Sequence, residues 1–518
     1  MKQLLAKLLT TLAAATGLVY FWNRRLDQRQ RVASSERVEM PSSATSLSAQ
    51  PHKRTRLVPP VARPRDNAPP PDSAEAGRTP FYFVPGEALL TIESAEPLAE
   101  SFLHESVAPT FTADYAPFGS GVVAYPVSSD RWLTVVRLRW PDDESYEGSL
   151  ARFNALEAKV NEQIRWGEAS VTTWMPNWLG ALATSAPTDF VPGSPGAYPR
   201  PMATPPQRLA LTDAPFLAAW RHAAHAPVTL AVLDGFPSEA ALQDATLPAS
   251  MGGVRSTVRG DERSLSVETG RYYASFRDGG PFGMGDHGLA TTWLAAEVIG
   301  DEALTNVGIE AVRVATEHGV CSAADIIAGL APLVPRAQQG EALVVLLAFT
   351  IGMRDIIPPR LRLYEEHYEA LRLTCLALNE AGATLIGAAG NDASGLQHPP
   401  RTRRPAVFRS VIEVTSGQLA QGDLALYANQ AKALALFGGE ADLQNQIADY
   451  LPALYGPGAE GWRWWAGTSL SAAMAAGLAV LLRSGDPSLR MWDVRTQLRK
   501  VATQSRNPGN VPYVDLVQ

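Results

Sequence analysis

Apolar runs and helical stretches alternate along the chain from residue 228 to residue 391. The runs are VTLAVLD (228–234), VGIEAVRVA (307–315), ALVVLLAFTIG (342–352) and TLIGAAGN (384–391). The helical stretches between them are GLATTWLAAEVIG (288–300), SAADIIAGLAPLV (322–334) and YEEHYEALRLTCLALNEAG (364–382). Strands that are apolar throughout are typical of a parallel sheet covered by helices on both faces. The pattern predicts a doubly wound, mostly parallel α/β domain over residues 210–518, with its functional groups at the carboxyl ends of the strands.

A second, smaller folded region is predicted over residues 79–180. Its strands are PGEALLTI, GVVAYPV, WLTVVRLRW and ASVTTW, and its helices are PLAESFLHE and SLARFNALEAKVNEQI. The second helix is amphipathic, because its apolar residues recur at helical spacing. The order β-α-β-β-α-β predicts a ferredoxin-like α+β fold. Many unrelated proteins share that plan, so it does not indicate a function.

Composition sets limits on the rest of the chain. The 518 residues are enough for several domains, and the formal net charge of −7 argues against nucleic acid as a partner. Residues 33–78 are rich in Pro, Ser and Arg and predict a disordered tether, and residues 181–209 predict a second linker. Cys321 and Cys375 are too few for a disulfide framework or a zinc site, and they leave the redox compartment open.

An apolar run over residues 4–22 precedes the tether. Within residues 1–32 this run predicts a membrane anchor or a signal segment. An uncleaved anchor is favoured, because the small residues at 13–15 lie in the middle of the run and bulky residues follow them. Arg24 and Arg25 stand just after the run, and by the positive-inside rule they place the body of the chain on the cytoplasmic side.

The stretch GTSLSAAMAAGLAVLL (467–482) begins with small polar residues and continues as an almost wholly apolar helix. A helix of this kind is buried on every side. In one interpretation Thr468 or Ser469 caps the helix, which is the commoner role for such residues. In the other, Ser469 is a nucleophile, and the free N–H groups and positive dipole end of the helix stabilise the oxyanion that its attack creates.

Three further polar residues stand at the ends of predicted elements. Asp234 follows a strand directly, His287 lies at the start of a helix, and Asn391 closes GAAGN. Each has an ordinary structural alternative, since aspartate caps turns, a lone histidine is often structural, and asparagine is common in turns. Strand ends of a parallel sheet meet at one edge, so these groups are expected to lie near one another.

Together these segments resemble the motifs of the subtilisin-like serine proteases, the subtilases. AVLDGF, DHGLAT, GAAGN and GTSLSAAMAAG resemble the family's Asp, His, oxyanion and Ser motifs, in the chain order Asp, His, Ser. The resemblance covers residues 210–482 and implies a catalytic triad of Asp234, His287 and Ser469, with Asn391 in the oxyanion hole. It also implies that a polypeptide substrate binds as an extended strand. The substrate-binding residues it implies are Phe349, Thr350, Ile351, Gly352, Gly387, Ala388, Ala389 and Gly390.

The motifs depart from the family's usual pattern in several places. Gly235 follows the aspartate directly, and Leu289 stands where threonine is usual after His-Gly. Trp293 and Ala473 replace a small residue and a proline. These changes leave every reacting group in place. His318 also precedes a glycine, but it falls one strand later and is therefore the weaker candidate for the base.

The resemblance also bears on the N-terminal region. Subtilases commonly carry a propeptide with the β-α-β-β-α-β plan, which ends in a Pro-Asn signature resembled here by WMPNW (174–178). Residues 79–180 are therefore expected to act as a folding template and intramolecular inhibitor, with a possible processing site in the linker at 181–209. A permanent accessory domain is the alternative.

A serine endopeptidase is the function that the resemblance implies. A degenerate scaffold that binds peptides without catalysis is the alternative, while an esterase of another fold would need a Gly-x-Ser-x-Gly elbow that GTSLS lacks. The chemistry requires no cofactor, and although calcium stabilises many subtilases, no metal-ligand spacing stands out. An extracytoplasmic body suits such an activity and is favoured over the cytoplasmic placement, which stays open.

Overall fold

The structure is a computed structural model. It describes residues 83–118, 122–140, 146–182, 200–201, 209, 211–236, 254–257, 287–315, 320–351, 368–391, 403–417, 424–425, 427–441, 447–449, 451–454, 462–504 and 511–517. The predicted anchor, the predicted tether, His318 and Gly352 lie outside these residues, so the expectations about them stay predictions.

The N-terminal region contains an antiparallel sheet and two helical segments, as the sequence predicts. Its strands are β1 (Phe83–Ser94), β2 (Asp114–Tyr115), β3 (Val123–Ser128), β4 (Arg131–Arg139), β5 (Arg165–Trp166) and β6 (Ala169–Leu182). Helix α1 comprises Glu100–Phe102, a π-helical turn at Leu103–Val107 and Ala108–Thr110, and α2 is Tyr146–Asn161. The central order is β6-β1-β4, with β2 and β3 both pairing with the outer edge of β4. This strand order is that of the ferredoxin-like plan.

Both faces of this sheet are covered. Leu89 and Leu90 are neighbours on β1, so they point to opposite faces, and both are fully buried. Helix α2 covers one face and places Phe153 against the ring of Trp174, with 5.8 Å between the ring centroids. The other face packs on helices that follow later in the chain, so the N-terminal region shares a buried interface with the rest of the protein.

The larger sheet has nine strands, and neighbouring strands are parallel except for the pair β21 and β22 at one edge. The strands are β8 (Val228–Asp234), β9 (Val254–Thr257), β10 (Val307–Arg313), β12 (Leu343–Leu347), β14 (Thr384–Ala388), β15 (Ile412–Gly417), β16 (Leu434–Phe437), β21 (Thr503–Gln504) and β22 (Pro512–Val514). Their order is β21-β22-β16-β15-β14-β12-β8-β10-β9. The chain adds β10 on one side of β8 and β12 on the other, so the direction of winding reverses at β8. The prediction of a doubly wound, mostly parallel sheet is confirmed.

Short strands and helices complete the described fold. The strands are β7 (Arg200–Pro201), β11 (Val320–Ser322), β13 (Phe349–Ile351), β17 (Glu440–Ala441), β18 (Ile447–Asp449), β19 (Leu451–Leu454) and β20 (Trp462–Trp465). The helices are α3 (Pro215–Ala223), α4 (His287–Ile299), α5 (Asp301–Leu304), α6 (Ala323–Leu330), α7 (Leu333–Gln338), α8 (Glu369–Glu380), α9 (Thr468–Gly485) and α10 (Met491–Val501). Helices α4 and α9 pack closely against each other and against the parallel sheet.

Small residues let α9 pass through the core. A Cβ atom added at Gly477 would lie 2.7 Å from the carbonyl oxygen of Ala295 and 2.9 Å from Cβ of Val298, both on α4. Among the described residues, α9 is the one helix long and apolar enough to cross a membrane, yet 89% of its apolar window is buried inside the protein. Helix α9 is thus a core helix, and the finding leaves the predicted anchor at residues 4–22 untested.

Two predicted elements are each divided in the structure. The apolar run 342–352 forms β12 and β13, because the chain leaves the parallel sheet at Ala348 and β13 pairs with β6 instead. The predicted helix 322–334 ends at Leu330, and Pro332 separates it from α7. Proline lacks the N–H that a continuous helix needs, which accounts for the break.

Candidate active site

Asp234, His287, Asn391 and Ser469 lie at the carboxyl edge of the parallel sheet. Asp234 is the last residue of β8, Asn391 follows β14, and His287 and Ser469 lie in the first turns of α4 and α9. Strand β8 is where the winding reverses, and in open α/β sheets such a point is the usual position of a ligand site. These four residues therefore lie at one edge of the sheet, where the sequence analysis expected them to meet.

The carboxylate, imidazole and hydroxyl form a hydrogen-bonded chain. His287 Nδ1 lies 2.7 Å from Asp234 Oδ1, and His287 Nε2 lies 2.9 Å from Ser469 Oγ. All three side chains are fully buried. A carboxylate can only accept hydrogen bonds, so Nδ1 carries the proton and Nε2 keeps a free lone pair for the hydroxyl of Ser469.

Two other donors fix the carboxylate of Asp234. The backbone N–H of Gly235 donates to Oδ1 at 2.7 Å, and the hydroxyl of Thr291 donates to Oδ2 at 2.8 Å. Sequence reasoning did not single out Thr291. The available signal was its position four residues after His287, because residues at that spacing share one face of a helix.

The unusual sequence around Asp234 forms a tight junction with α4. The N–H of Gly288 donates to the carbonyl oxygen of Gly235 at 2.7 Å. A Cβ atom at Gly288 would lie 2.6 Å from that same oxygen and from the ring of Phe236, so only glycine fits there. Leu289 and Trp293 are buried in the core. These departures from the family's motifs are thus accommodated by local packing.

The start of α9 does not follow the capping interpretation. Its N-cap residue is Gly467, which has no side chain to cap with. Thr468 Oγ1 accepts a bond from the N–H of Gly390 at 3.1 Å, and Ser469 Oγ faces the imidazole. Ser471 donates to the carbonyl oxygen of Leu436 at 3.0 Å, which ties the helix to β16. The alternative interpretation, in which the side chain of Thr468 or Ser469 caps the helix, therefore does not hold.

Asn391 presents a free amide donor. Its Oδ1 accepts a bond from the backbone N–H of Thr468 at 3.0 Å. A backbone N–H can only donate, so the side-chain oxygen must face it and Nδ2 must point the other way. Nδ2 is buried and has no partner among the described residues. A buried donor without a partner is uncommon in native proteins and is typical of a functional group.

The last residues of β6 lie in a cleft between two strands of the larger domain. Leu179–Ala181 pair with Val320–Ser322 of β11, and Gly180–Leu182 pair with Phe349–Ile351 of β13, both antiparallel. An extended segment of this chain therefore occupies the place where the resemblance predicts substrate.

The other predicted substrate-binding residues divide into two groups. Gly387 and Ala388 belong to β14, where a Cβ atom at Gly387 would meet Ala406 at 2.9 Å and Ala388 packs in the core. Gly390 lies closer to the cleft, because a Cβ atom there would lie 3.3 Å from Cγ2 of Thr350. The N–H of Ala389 donates to the carbonyl oxygen of Val414, and the carbonyl oxygen of Ala389 accepts a bond from Nδ2 of Asn429. Gly387 and Ala388 thus have the placement of core residues.

The Pro-Asn segment of the N-terminal region meets the start of α6. Asn177 Oδ1 accepts a bond from the backbone N–H of Ala324 at 3.0 Å, and Asn177 Nδ2 donates to Glu87 at 2.7 Å. Arg137 in turn holds Glu87 through two hydrogen bonds of 2.6 and 2.9 Å. Burial raises the pKa of Asp325, in the same turn of α6, to about 6, against the lowering effect of Arg137. A buried polar network thus joins the two parts of the protein.

Aromatic contacts extend this interface. The hydroxyl groups of Tyr125 and Thr374 lie 2.9 Å apart, and both side chains are fully buried. Trp178 stacks on Tyr368 with 5.2 Å between ring centroids. An interface of buried rings and satisfied polar groups is typical of a stable contact. The tail of β6 is therefore held in the cleft by the docked sheet as well as by its own pairing.

Neither a thiol nor a metal competes with Ser469 within the described part of the chain. Cys321 and Cys375 are buried, and burial raises the pKa of both thiols, so neither is a ready nucleophile. No group of three or more His, Cys, Asp or Glu side chains is placed to hold a metal ion among the described residues. The expectations about cofactors and calcium stay predictions.

Comparison with known proteins finds one family whose sequence model matches part of the chain. No curated protein matches the chain. One matching solved structure, a cold-adapted subtilisin-like serine proteinase, is 18% identical and covers 57% of this chain and 90% of its own, with a TM-score of 0.38. Residues 280–514 match the sequence model of the subtilase family, a range that includes His287, Asn391 and Ser469 and begins after Asp234. Residues 280–514 are therefore similar to the subtilase family of serine peptidases.

Proposed function

We propose that the protein is a serine endopeptidase that uses Asp234, His287 and Ser469 as a catalytic triad. The observation that carries this proposal is the continuous hydrogen-bonded chain from Asp234 through His287 to Ser469. Labelling of Ser469 by a fluorophosphonate, together with hydrolysis of an unfolded protein substrate, tests it. A chain that takes up no label and hydrolyses no substrate after its N-terminal region has been removed would instead be a peptide-binding scaffold.

The reaction follows from the roles of the three groups. Ser469 Oγ attacks the substrate carbonyl while its proton passes to His287 Nε2. Asp234 holds the Nδ1–H of the imidazole and stabilises the imidazolium that forms. His287 then gives the proton to the leaving amine, and a water molecule hydrolyses the acyl-enzyme by the same steps in reverse.

The oxyanion is bound by Asn391 Nδ2 and the backbone N–H of Ser469. The free orientation of Nδ2 supports the first role, because its partner must come from outside the described chain. The position of Ser469 at the start of α9 supports the second, because the first N–H groups of a helix have no partner within it. Preorganised donors of this kind stabilise the transition state without having to reorient.

Replacing Asn391 with aspartate is expected to lower kcat by about 10²–10³ and to leave KM nearly unchanged. The variant keeps an oxygen for the N–H of Thr468 and replaces the Nδ2 donor with a carboxylate oxygen, whose negative charge also repels the oxyanion. Steady-state kinetics on a peptide substrate measures both constants. A loss that falls on KM alone would mean that Asn391 binds substrate in the ground state and does not stabilise the oxyanion.

The N-terminal region is proposed to be an intramolecular inhibitor that the enzyme cuts from itself. Its support is the antiparallel pairing of Gly180–Leu182 with Phe349–Ile351, which is how an extended peptide adds to an exposed strand. Thr350 of that strand lies beside Gly390, and Gly390 precedes Asn391, so the tail leads toward the reacting groups. Calcium binding and an extracytoplasmic location are proposed on the family resemblance alone, and the anchor at 4–22 is proposed on its apolar run.

Self-cleavage is expected to leave an N-terminal piece that ends at Leu182. Among the described residues, Leu182 is the last of the tail that pairs with β13, and its partner Phe349 is the residue of β13 nearest the end of β12. Mass spectrometry of the purified chain measures the mass of each piece. A cut between residues 185 and 206 would place the processing site further along the linker at 181–209 and would contradict the assignment of Leu182.

A further inference from the structure

Gly180 lies between two strands at the centre of the cleft. It pairs with Cys321 of β11 on one side and with Ile351 of β13 on the other. Both partners are almost completely buried. The position therefore has a wall on each side, formed by residues of the peptidase domain.

A side chain has no room at this position. A Cβ atom added to Gly180 would lie 2.4 Å from the carbonyl oxygen of Thr350, 3.0 Å from Cα of Ile351 and 3.1 Å from Sγ of Cys321. The closest of these atoms belongs to the backbone and cannot rotate away as a flexible side chain could. The N–H of Ile351 donates to the carbonyl oxygen of Arg404 at 2.9 Å, which holds β13 from its other side.

The wall formed by Cys321 is also fixed. Cys321 forms a β-bridge with Ala315 and lies in β11, directly before α6. The next residue, Ser322, is the N-cap of α6 and accepts a bond from the N–H of Asp325 at 3.2 Å. Widening the cleft on this side would move the start of a buried helix.

The backbone conformation of Gly180 does not itself require glycine. Gly180 does not have a positive φ, whereas Gly167 has a φ of 64°. Gly167 shows the opposite situation, because nothing lies within 4 Å of an added Cβ atom there. Glycine is needed at residue 180 because of the space available and not because of the chain's conformation.

We propose that the subsite that holds Gly180 accepts only glycine, so that the peptidase selects polypeptides with glycine two residues before the residue whose carbonyl is attacked. The inference rests on the proposed function and on Leu182 as the attacked residue. It gives the substrate class as extended segments of the form Leu-Gly-Ala-Leu, as in residues 179–182. A methyl group at the glycine position would push the strand out of register with β11 and β13.

The first test does not depend on catalysis. In a full-length Ser469→Ala chain, the added change Gly180→Ala is expected to displace the tail and to speed alkylation of Cys321 about 10-fold, which corresponds to about 1.4 kcal/mol and lies within the usual cost of overpacking. Cys375 lies on α8 beside Thr374 of the docking interface, so an unchanged rate for Cys375 shows that the N-terminal sheet as a whole stays docked. Mass spectrometry of the two cysteine peptides over time gives both rates.

A matched control separates the position from the type of substitution. Gly308→Ala adds the same methyl group on β10, where the nearest atom, Oγ1 of Thr229, is 3.7 Å away. This variant is expected to leave Cys321 protected. Equal alkylation rates for Cys321 with and without Gly180→Ala would overturn the glycine requirement, whether or not the protein is a peptidase.

The second test measures selectivity directly. Self-cleaved full-length protein is given two fluorogenic peptides that carry Leu-Gly-Ala-Leu or Leu-Ala-Ala-Leu before the reporter group. The expected kcat/KM is at least about 10-fold higher for the glycine peptide. Equal rates would overturn the proposal while leaving the peptidase function intact. A protein that cleaves neither peptide and takes up no fluorophosphonate would overturn the proposed function, and the alkylation result would then decide the glycine requirement alone.

Discussion

A full-length chain with Ser469→Ala is expected to stay whole, while the wild type separates into two pieces. Ser469 Oγ lies 2.9 Å from His287 Nε2 and is the only atom of the chain that the proposed reaction uses as nucleophile. Loss of this group in a triad lowers kcat by on the order of 10⁶, because the remaining members cannot act without it. Mass spectrometry of both chains shows the outcome.

Ser471→Ala is the matched control for this change. Ser471 lies on the same helix, is equally buried and donates to the carbonyl oxygen of Leu436. Its loss is expected to lower stability by about 1 kcal/mol and to leave self-cleavage intact. A Ser469→Ala chain that is still cut at Leu182, after purification away from other proteases, would contradict the nucleophile assignment.

The sequence predicts those residues of the site that stand next to a recognisable strand or helix. Asp234, His287, Asn391 and Ser469 each stand at the end of an apolar or periodic segment, and parallel topology brings such ends together. Thr291 could not be distinguished in this way, because threonine is common in helices and its role depends on the carboxylate it meets. The direction of the Asn391 amide likewise depends on Thr468, which is remote in sequence.

The cleft was less predictable than the two sheets. Residues 179–182 are apolar, and nothing in their pattern distinguishes a strand that crosses between domains from a linker. Strand preference is decided largely by what a segment packs against, and here the partners Val320–Ser322 and Phe349–Ile351 come much later in the chain. The separation of β13 from β12 at Ala348 has the same cause, because its partner is β6 and not the parallel sheet.

Asp234→Asn is expected to lower kcat by about 10⁴ without disrupting the fold. In the wild type, Oδ1 accepts from His287 and Gly235, and Oδ2 accepts from Thr291. An amide has a single acceptor oxygen, so its NH₂ group must take the place of either Oδ1 or Oδ2. At Oδ2 the NH₂ group faces Thr291, which can donate to the carbonyl oxygen of Gly288 instead, and the neutral amide no longer stabilises the imidazolium. At Oδ1 it donates to Nδ1 of His287, whose proton then moves to Nε2, and the N–H of Gly235 loses its acceptor.

That change of tautomer removes the base from Ser469. With its proton on Nε2, His287 can donate to the hydroxyl of Ser469 but cannot take its proton. Thr291→Val is the matched control, since it removes one bond to the carboxylate and leaves the tautomer of His287 unchanged, so its expected loss in kcat is about 10-fold or less. Turnover of a peptide substrate across pH measures both variants. If Asp234→Asn and Thr291→Val were equally active, Asp234 would act only by holding the loop at Gly235, and the triad would have to be assigned without it.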